Sequence, residues 1–343
     1  VDITAQRIAF RPGDAGYDEE LAGFQTGFAA RPAVVFGAET AADVVAAVSY
    51  ATARALPVGV QATGHGLPGA SELFWGLLGG GANLGVVTEL EIGLVPVTRV
   101  YGGAVAFDGR EVDPAALLRG YEEWTRTVPD ELTSSLSALA YPDIPQLPPH
   151  LRGRYLVSVH VAFTGTPAEG ERLVAPLRAL GPAVSDTLRE MPYTESRTIH
   201  SDPDFPHAYY GDSVVLDGLD VRGAAELLAL TGPEAASMHV VKIHHLGGAL
   251  ARPARNAVSH RGAGWVAMIL SPLDGTDVAT VRELHAEAFG RVAPQAVGRF
   301  LNFAFGGGDR PEGIYEPETR KRLAELKATY DPANLFRRNY DVG

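Results

Sequence analysis

The sequence predicts an α+β protein whose larger part is an antiparallel sheet backed by helices on one face. Three observations predict it. Strand-like runs recur between residues 98 and 270 with helical patterns interspersed. Those runs lack the continuous Val/Ile signature of a parallel sheet buried on both faces. A β-α-β unit opens the chain, and Pro96 marks a change of character after it. A length of 343 residues suffices for two domains or one large one.

Ala33-Val34-Val35-Phe36 is a short apolar run, and Thr40 with Asp43 caps the helix that follows. Val44, Val45 and Val48 form its apolar stripe, and it ends near Arg54-Ala55. Residues 56–60 read as the next strand. Residues 84–94 alternate as another, with Glu89 and Glu91 on the wet face. After Pro96 a strand is expected at 98–107. Asp113-Pro114 then starts a helix through Trp124, with proline in the first turn where its missing N–H costs nothing. Further strands are expected at 133–139, 155–163, 239–245 and 264–270, and helices at 167–180, 222–230 and 276–289. The proline-rich stretch 141–149 is a surface loop. Glu316-Pro317-Glu318 opens a last helix whose Leu323, Leu326 and Tyr330 share a face, and Asp331-Pro332 stops it. The chain ends as an extended segment, Phe336-Arg337-Arg338-Asn339-Tyr340.

A net charge of −12 argues against nonspecific nucleic-acid binding, which relies on Lys and Arg at phosphates. No apolar run approaches the roughly 20 residues of a membrane-spanning helix. With no cysteine there is no disulfide, thiolate nucleophile or zinc-thiolate site. No signal peptide is visible, so the location expected is cytoplasmic, although the chain opens at Val1 and a removed leader stays open.

Gly64-His65-Gly66 follows a strand directly, and glycines there let the backbone approach a ligand while an imidazole is presented at the strand end. Gly79-Gly80-Gly81 precedes another strand-like run, and such a turn aims successive N–H groups at an anion, or is a plain turn. It is not the dinucleotide fingerprint that opens a helix. By itself His65 reads equally as a surface or packing histidine.

Taken together these blocks resemble the FAD-linked oxidases with a vanillyl-alcohol-oxidase-type flavin domain, specifically the berberine-bridge-enzyme-like group. Residues 31–45 look like the start of that flavin domain, and residues 56–66 match its histidine turn. Leu73-Phe74-Trp75-Gly76 through Gly79-Gly80-Gly81-Ala82-Asn83-Leu84-Gly85 matches its later glycine-rich element, and Tyr330-Asp331-Pro332-Ala333-Asn334-Leu335-Phe336-Arg337 its closing signature. His245-Leu246-Gly247-Gly248 and Asn302-Phe303 fit patterns of its substrate part.

The resemblance implies a two-subdomain FAD-linked oxidase fold. Residues 1–96 and 304–343 would form the FAD-binding subdomain, and 97–303 the substrate-binding subdomain with its antiparallel sheet. It implies FAD, joined covalently through His65, with Gly64, Gly66, Gly79, Gly80, Gly81, Asn83, Gly85 and Asn339 at the cofactor. Gln61-Ala62-Thr63 departs from the commoner form of the histidine turn, and the cysteine that tethers flavin a second time in some members is absent. In the family a segment on the order of a hundred residues, much of a domain, separates the two glycine blocks; here only 67–72 joins them. A natural deletion or a deliberately shortened chain would expose apolar core at about 25 cal/mol per Å². The favoured reading is a longer protein whose stretch between Ala70 and Glu72 is missing from this sequence, in a flavin-free form.

The implied function is FAD-dependent oxidation of a small organic molecule (a sugar, alcohol or secondary-metabolite intermediate), with dioxygen as acceptor. Two alternatives are a dehydrogenase using another acceptor and a flavin-free descendant that binds a ligand or partner. Tyr340, beside Asn339, is the first candidate for the base, and Tyr210, with its neighbour Tyr209, the second; each also reads as a packing tyrosine. His244 and His245 are adjacent on a strand and so point to opposite faces. His200, Asp202 and Asp204 form a small polar cluster that Pro203 and Pro206 make a loop, and no metal site is expected. H-E-x-x-H, G-x-S-x-G and P-loop motifs are absent. The oligomeric state is left open.

Overall fold

The computed structural model describes residues 9–22, 31–59, 72–89, 92–145, 147–203, 205–273, 275–305, 311–337 and 340–342. The chain opens with β1 (Ala9–Phe10), α1 (Tyr17–Leu21), β2 (Val35–Phe36) and α2 (Ala41–Thr52), and β1 and β2 form an antiparallel pair. Thr40 and Asp43 make the expected capping box on α2, each side chain taking an N–H of the other. Val45 is 65% exposed, so the stripe expected at Val44, Val45 and Val48 does not run through it. Val58 makes a single parallel bridge to Phe336 in place of the strand expected at 56–60. After α3 (Glu72–Leu77), a 3₁₀ turn at Gly81–Asn83 precedes irregular chain. No strand forms among the described residues of 84–94. Leu84 is buried, but Val87, Ile92, Leu94 and Val95 are exposed, so past Leu84 the described apolar residues pack on no partner surface.

The rest of the elements follow in order: β3 (Arg99–Asp108), α4 (Pro114–Thr125), β4 (Leu132–Ala140), β5 (Tyr155–Phe163), α5 (Pro167–Arg178), β6 (Ala183–Asp186), β7 (Arg189–Pro192), β8 (Tyr209–Leu216), α6 (Val221–Leu230), β9 (Val240–His245), β10 (Trp265–Pro272), α7 (Val278–Gly290), β11 (Ala296–Gly298) and α8 (Pro317–Tyr330). Asp113, Thr166, Asp220 and Asp277 cap α4 to α7 with side-chain oxygens.

Nine of these strands make one sheet, ordered β11-β8-β10-β9-β4-β5-β3-β6, with β7 also on β3, and every pair is antiparallel. The period-two alternation gives this sheet two different faces. One carries Phe107, Val157, Val159, Leu136, Ile243, Ile269 and Leu216, packed under Leu118 and Tyr121 of α4, Val174 and Leu177 of α5, Leu227 of α6 and Ala288 of α7. This is the main core, and the fold is α+β, as the sequence predicts. Among the described residues the other face carries no such helix layer.

A second cluster joins distant parts of the chain. Leu84, Ala257, Leu323, Leu326 and Val342 pack together with Leu73, Trp75, Leu77 and Tyr315, so α8 lies on α3. Leu323 and Leu326 are buried as expected, but Tyr330 is 51% exposed and Lys327 takes the inward position. Among the described residues no helix is long and apolar enough to cross a membrane.

Candidate active site

The uncovered face of the sheet is polar at its centre. Register places His160 of β5, Ser135 of β4, His244 of β9 and Val266 of β10 in one cross-strand row. Ser158, Ser137, Lys242 and Met268 form the next row. Each comes from the position alternate to a core residue, which is why all share the face away from the helices.

His160 is held at both ring nitrogens: Nε2 lies 2.8 Å from Ser137 Oγ and Nδ1 2.7 Å from the Ile199 carbonyl. Its ring stacks on His200 at 4.7 Å between centroids. Lys242 Nζ donates to Asp202 Oδ1 at 2.8 Å. His244 stacks on Phe303 at 5.0 Å. The segment around 199–202 thus straps one side of the row, and Phe303 closes the other. Ser135 Oγ and His244 Nε2 are buried with no hydrogen-bond partner among the described residues, an arrangement that calls for water or a ligand to complete it.

Burial pushes the pKa of both His160 and His244 down to about 4, with the Lys242 charge adding to it. Burial likewise lowers His200. Burial opposes the charged form of Asp202, but the hydrogen bond and charge of Lys242 outweigh it and hold this carboxyl below its usual range. At neutral pH the face therefore presents neutral imidazoles and hydroxyls beside one internally compensated ion pair. Such groups suit an uncharged polar substrate.

The expected catalytic tyrosines fall in different places. Tyr210 is fully buried on the helix side, in one line with Asp212, Val214 and Leu216, its ring 5.2 Å from that of His285 on α7. This corrects its expected place in a pocket: strand alternation sends it away from the polar face. Tyr209, its neighbour, points the other way and packs edge-on against Phe305 at 5.5 Å. Tyr340 donates its hydroxyl proton to the Ala304 carbonyl, and its own carbonyl accepts from Asn83 Nδ2 at 3.3 Å. His245 packs on Trp265 across the sheet from His244. No group of three metal-ligating side chains occurs among the described residues.

The glycine-rich turn is fixed from several sides. Asn83 is fully buried and donates to the Gly80 carbonyl at 2.8 Å. Tyr315 donates to the Gly79 carbonyl at 3.1 Å, and the Ala257 N–H to the Leu78 carbonyl at 2.8 Å. FAD is the cofactor this turn is expected to serve, and two observations test the fit. Asn83 Oδ1 is buried with no partner among the described residues, which suits a donor from a bound group. A side chain at Gly85 would meet nothing within 4 Å, so a ligand has room there, whereas one at Gly79 would lie 2.8 Å from the Val258 nitrogen and one at Gly80 2.4 Å from the Gly76 carbonyl. Gly79 and Gly80 are therefore demanded by packing, and Asn83 with Gly85 are the positions that fit a cofactor. Gly81 leaves a side chain ordinary contact distances, the nearest atom at 3.6 Å. Gly64, His65, Gly66 and Asn339 lie outside the described residues, as do the 70–71 junction and Asp204.

Comparison with known proteins places this geometry beside FAD-linked oxidoreductases. Residues 299–342 match the family described as berberine and berberine like. The chain is 25% identical over 280 residues to an FAD-linked oxidoreductase of Dictyostelium discoideum, covering 79% of this chain and 58% of that protein. It is 28% identical over 293 residues to the (R)-6-hydroxynicotine oxidase of Paenarthrobacter nicotinovorans, covering 79% and 60%. Residues 299–342 are thus berberine-like, and the curated relatives that match most of this chain are an FAD-linked oxidoreductase and an oxidase. The chain spans about three fifths of the length of these curated relatives. Its fold is that of 6-hydroxy-D-nicotine oxidase from Arthrobacter nicotinovorans, with a TM-score of 0.76 at 18% identity over 98% of both chains. The berberine-like match covers Arg299, Phe303, Ala304, the whole of α8 and Tyr340, the segment that touches both the polar face and the glycine-rich turn.

The sequence did not single out Ser135, Ser137, His160 or Lys242. The signal was present in β5, where Ser158 and His160 interrupt an apolar run at alternate positions, and in the serines of β4. Only the register brings them together.

Proposed function

We propose that this protein is an FAD-dependent oxidoreductase that oxidises a small uncharged organic molecule held against the open face of the nine-stranded sheet. The observation that carries the reading is the pair of buried, unpartnered atoms Ser135 Oγ and His244 Nε2 in one row of that face. Phe303, within the berberine-like segment, stacks on His244 of the same face. Relatives that are FAD-linked oxidoreductases support the reaction type.

In this reading residues 1–96 and 304–343 bind the cofactor and 97–303 the substrate. Asn83 and Gly85 hold FAD, and His65 is its covalent tether, flanked by Gly64 and Gly66. FAD, when bound, supplies the two-electron acceptor, and dioxygen accepts the electrons in turn. The chain's own groups do the rest. Ser135 and His244 bind a substrate hydroxyl or amine, and Phe303 packs its apolar part. Neutral His160, fixed by Ser137 and Ile199, keeps the adjacent site free of positive charge. Tyr340 Oη, which donates to the Ala304 carbonyl as a neutral phenol, is the group proposed to take the substrate proton once its own proton has passed to solvent. A sugar, an alcohol or a hydroxylated nitrogen heterocycle meets these requirements, and the name of the nicotine-oxidising relative supports the last.

The test adds FAD to the full-length protein and records intact mass and visible absorption, then screens neutral alcohols, sugars and amines for peroxide release. Absorption near about 450 nm, typical of oxidised flavin, with a covalent mass increase and substrate-dependent peroxide, is expected. A protein that stays colourless and silent after FAD addition overturns the proposal in favour of a flavin-free binding protein.

A further inference from the structure

Lys327 is a lysine buried to 2% exposure beside Leu326 on the inward face of α8, and all three of its ammonium donors are used. They reach the Asn83 carbonyl at 2.9 Å, Asp331 Oδ2 at 3.0 Å and the Phe336 carbonyl at 2.6 Å. Asp331 is itself 5% exposed and accepts from the Leu335 N–H through Oδ1 at 2.8 Å and from the Phe336 N–H through Oδ2 at 2.9 Å. A buried charge pair is tolerated only when its remaining hydrogen-bonding capacity is met this fully.

The three acceptors belong to three separate stretches of chain. Asn83 stands in the glycine-rich turn, Asp331 ends α8, and Phe336 lies in the tail that leads to Tyr340. The tail in turn holds a fourth stretch, because the Val58 N–H donates to the Leu335 carbonyl at 2.6 Å and Val58 bridges Phe336. Asn83 closes the circuit by donating to the Tyr340 carbonyl.

We infer that Lys327 is the positioning residue of the cofactor site, a single ammonium group that sets the glycine-rich turn, the Tyr340 tail and the Val58 segment in one mutual arrangement. The inference rests on the proposed flavin site for its functional half only. Lys327 touches no ligand-facing atom itself; it acts through Asn83 and the tail. Its removal uncouples segments that are up to 278 residues apart in sequence, the separation of Val58 and Phe336.

The experiment compares Lys327→Met and Asp331→Asn with the parent protein by amide hydrogen exchange, without added flavin, and then measures FAD uptake. In both variants, exchange is expected to rise about ten-fold or more together at Val58, at Asn83-Leu84 and at Leu335-Phe336, while β4, β5 and β9 keep their protection. FAD uptake is expected to weaken about ten-fold or more in parallel. Asp331→Asn keeps the size and one acceptor of the carboxylate, so it reports on the clamp even where Lys327→Met fails to fold. A rise confined to 331–336, or no rise at all, overturns the inference by making Lys327 a local helix-end contact. If the parent protein itself takes up no FAD, the proposed function fails while the exchange pattern still decides the clamp.

Discussion

Ser135 and His244 stand directly opposite each other on β4 and β9, with Oγ and Nε2 both buried and neither hydrogen-bonded within the described residues. One strand over, Ser137 and His160 form the satisfied counterpart, 2.8 Å apart. The two serines should therefore respond in opposite ways to the same change. Ser135→Ala removes an uncompensated hydroxyl and is expected to leave stability unchanged or raise it by up to about 1 kcal/mol. Ser137→Ala strands His160 Nε2 and should cost about 1 to 3 kcal/mol. Urea denaturation of both variants checks this, and equal losses would show that Ser135 has a partner.

The same face makes stability depend on pH. The folded pKa of His160 and of His244 is about 4, below the ordinary histidine value of about 6.5. A depressed histidine pKa means that the unfolded chain binds the proton first. Each residue therefore costs nothing above about pH 7 and withdraws stability as pH falls from about 6.5 towards 4. Between about pH 7 and pH 5 the loss is about 2 kcal/mol for each histidine. Denaturation midpoints measured across that window should fall on acidification, and His160→Gln should flatten the slope. An unchanged slope in that variant contradicts a neutral buried His160.

Much of the large sheet was legible because its strands alternate cleanly. Tyr155 to Phe163 puts Tyr, Val, Val, Val and Phe on one side and is bounded by turns, and the helices behind it begin at Asp or Thr caps next to proline or a helical pattern. The edge strands β6 and β7 were not legible. Ala183–Asp186 is exposed throughout and Arg189–Pro192 is half so, which leaves no hydrophobic periodicity to read. Residues 84–94 failed in the opposite way: their apolar alternation is real, but past the buried Leu84 its described members Val87, Ile92 and Leu94 stay exposed. In α8 the true inward face includes Lys327, because three backbone and carboxylate acceptors make a buried ammonium tolerable, and no pattern of apolar residues signals that. The polar face was hidden because its members are scattered from Ser135 to His244 and meet only through strand register.

The glycine-rich turn separates two uses of glycine. Gly79 has φ +122°, and a side chain there would collide with the Ala257 and Val258 backbone at 2.8 Å. Gly85 has φ +151° with open space around it. Gly79→Ala is thus expected to cost about 2 to 4 kcal/mol through strain and overpacking together, and Gly85→Ala about 1 to 2 kcal/mol through backbone strain alone. With FAD uptake as a second readout the order should reverse: Gly85→Ala weakens uptake more than its stability loss explains, since it fills the space proposed for the cofactor. Uptake that tracks stability alone in both variants would remove Gly85 from the site.

The two tyrosines proposed from the sequence offer the sharpest test of which side of the sheet does the chemistry. Tyr340 joins the tail to both Ala304 and Asn83, and its phenol borders the region proposed for substrate and cofactor. Tyr340→Phe keeps the backbone bond from Asn83 and loses one hydrogen bond, costing about 1 kcal/mol of stability. If Tyr340 Oη takes the substrate proton, kcat falls by about 10² to 10⁴ while KM and FAD uptake change little. Tyr210 is the internal control. Its hydroxyl donates to Asp212 Oδ2 at 3.4 Å on the helix-covered side, so Tyr210→Phe should lower stability slightly and leave kcat near that of the parent. A large kcat loss in Tyr210→Phe, with Tyr340→Phe unimpaired, would place the chemistry on the wrong side of a sheet whose helix-covered face is already filled by core.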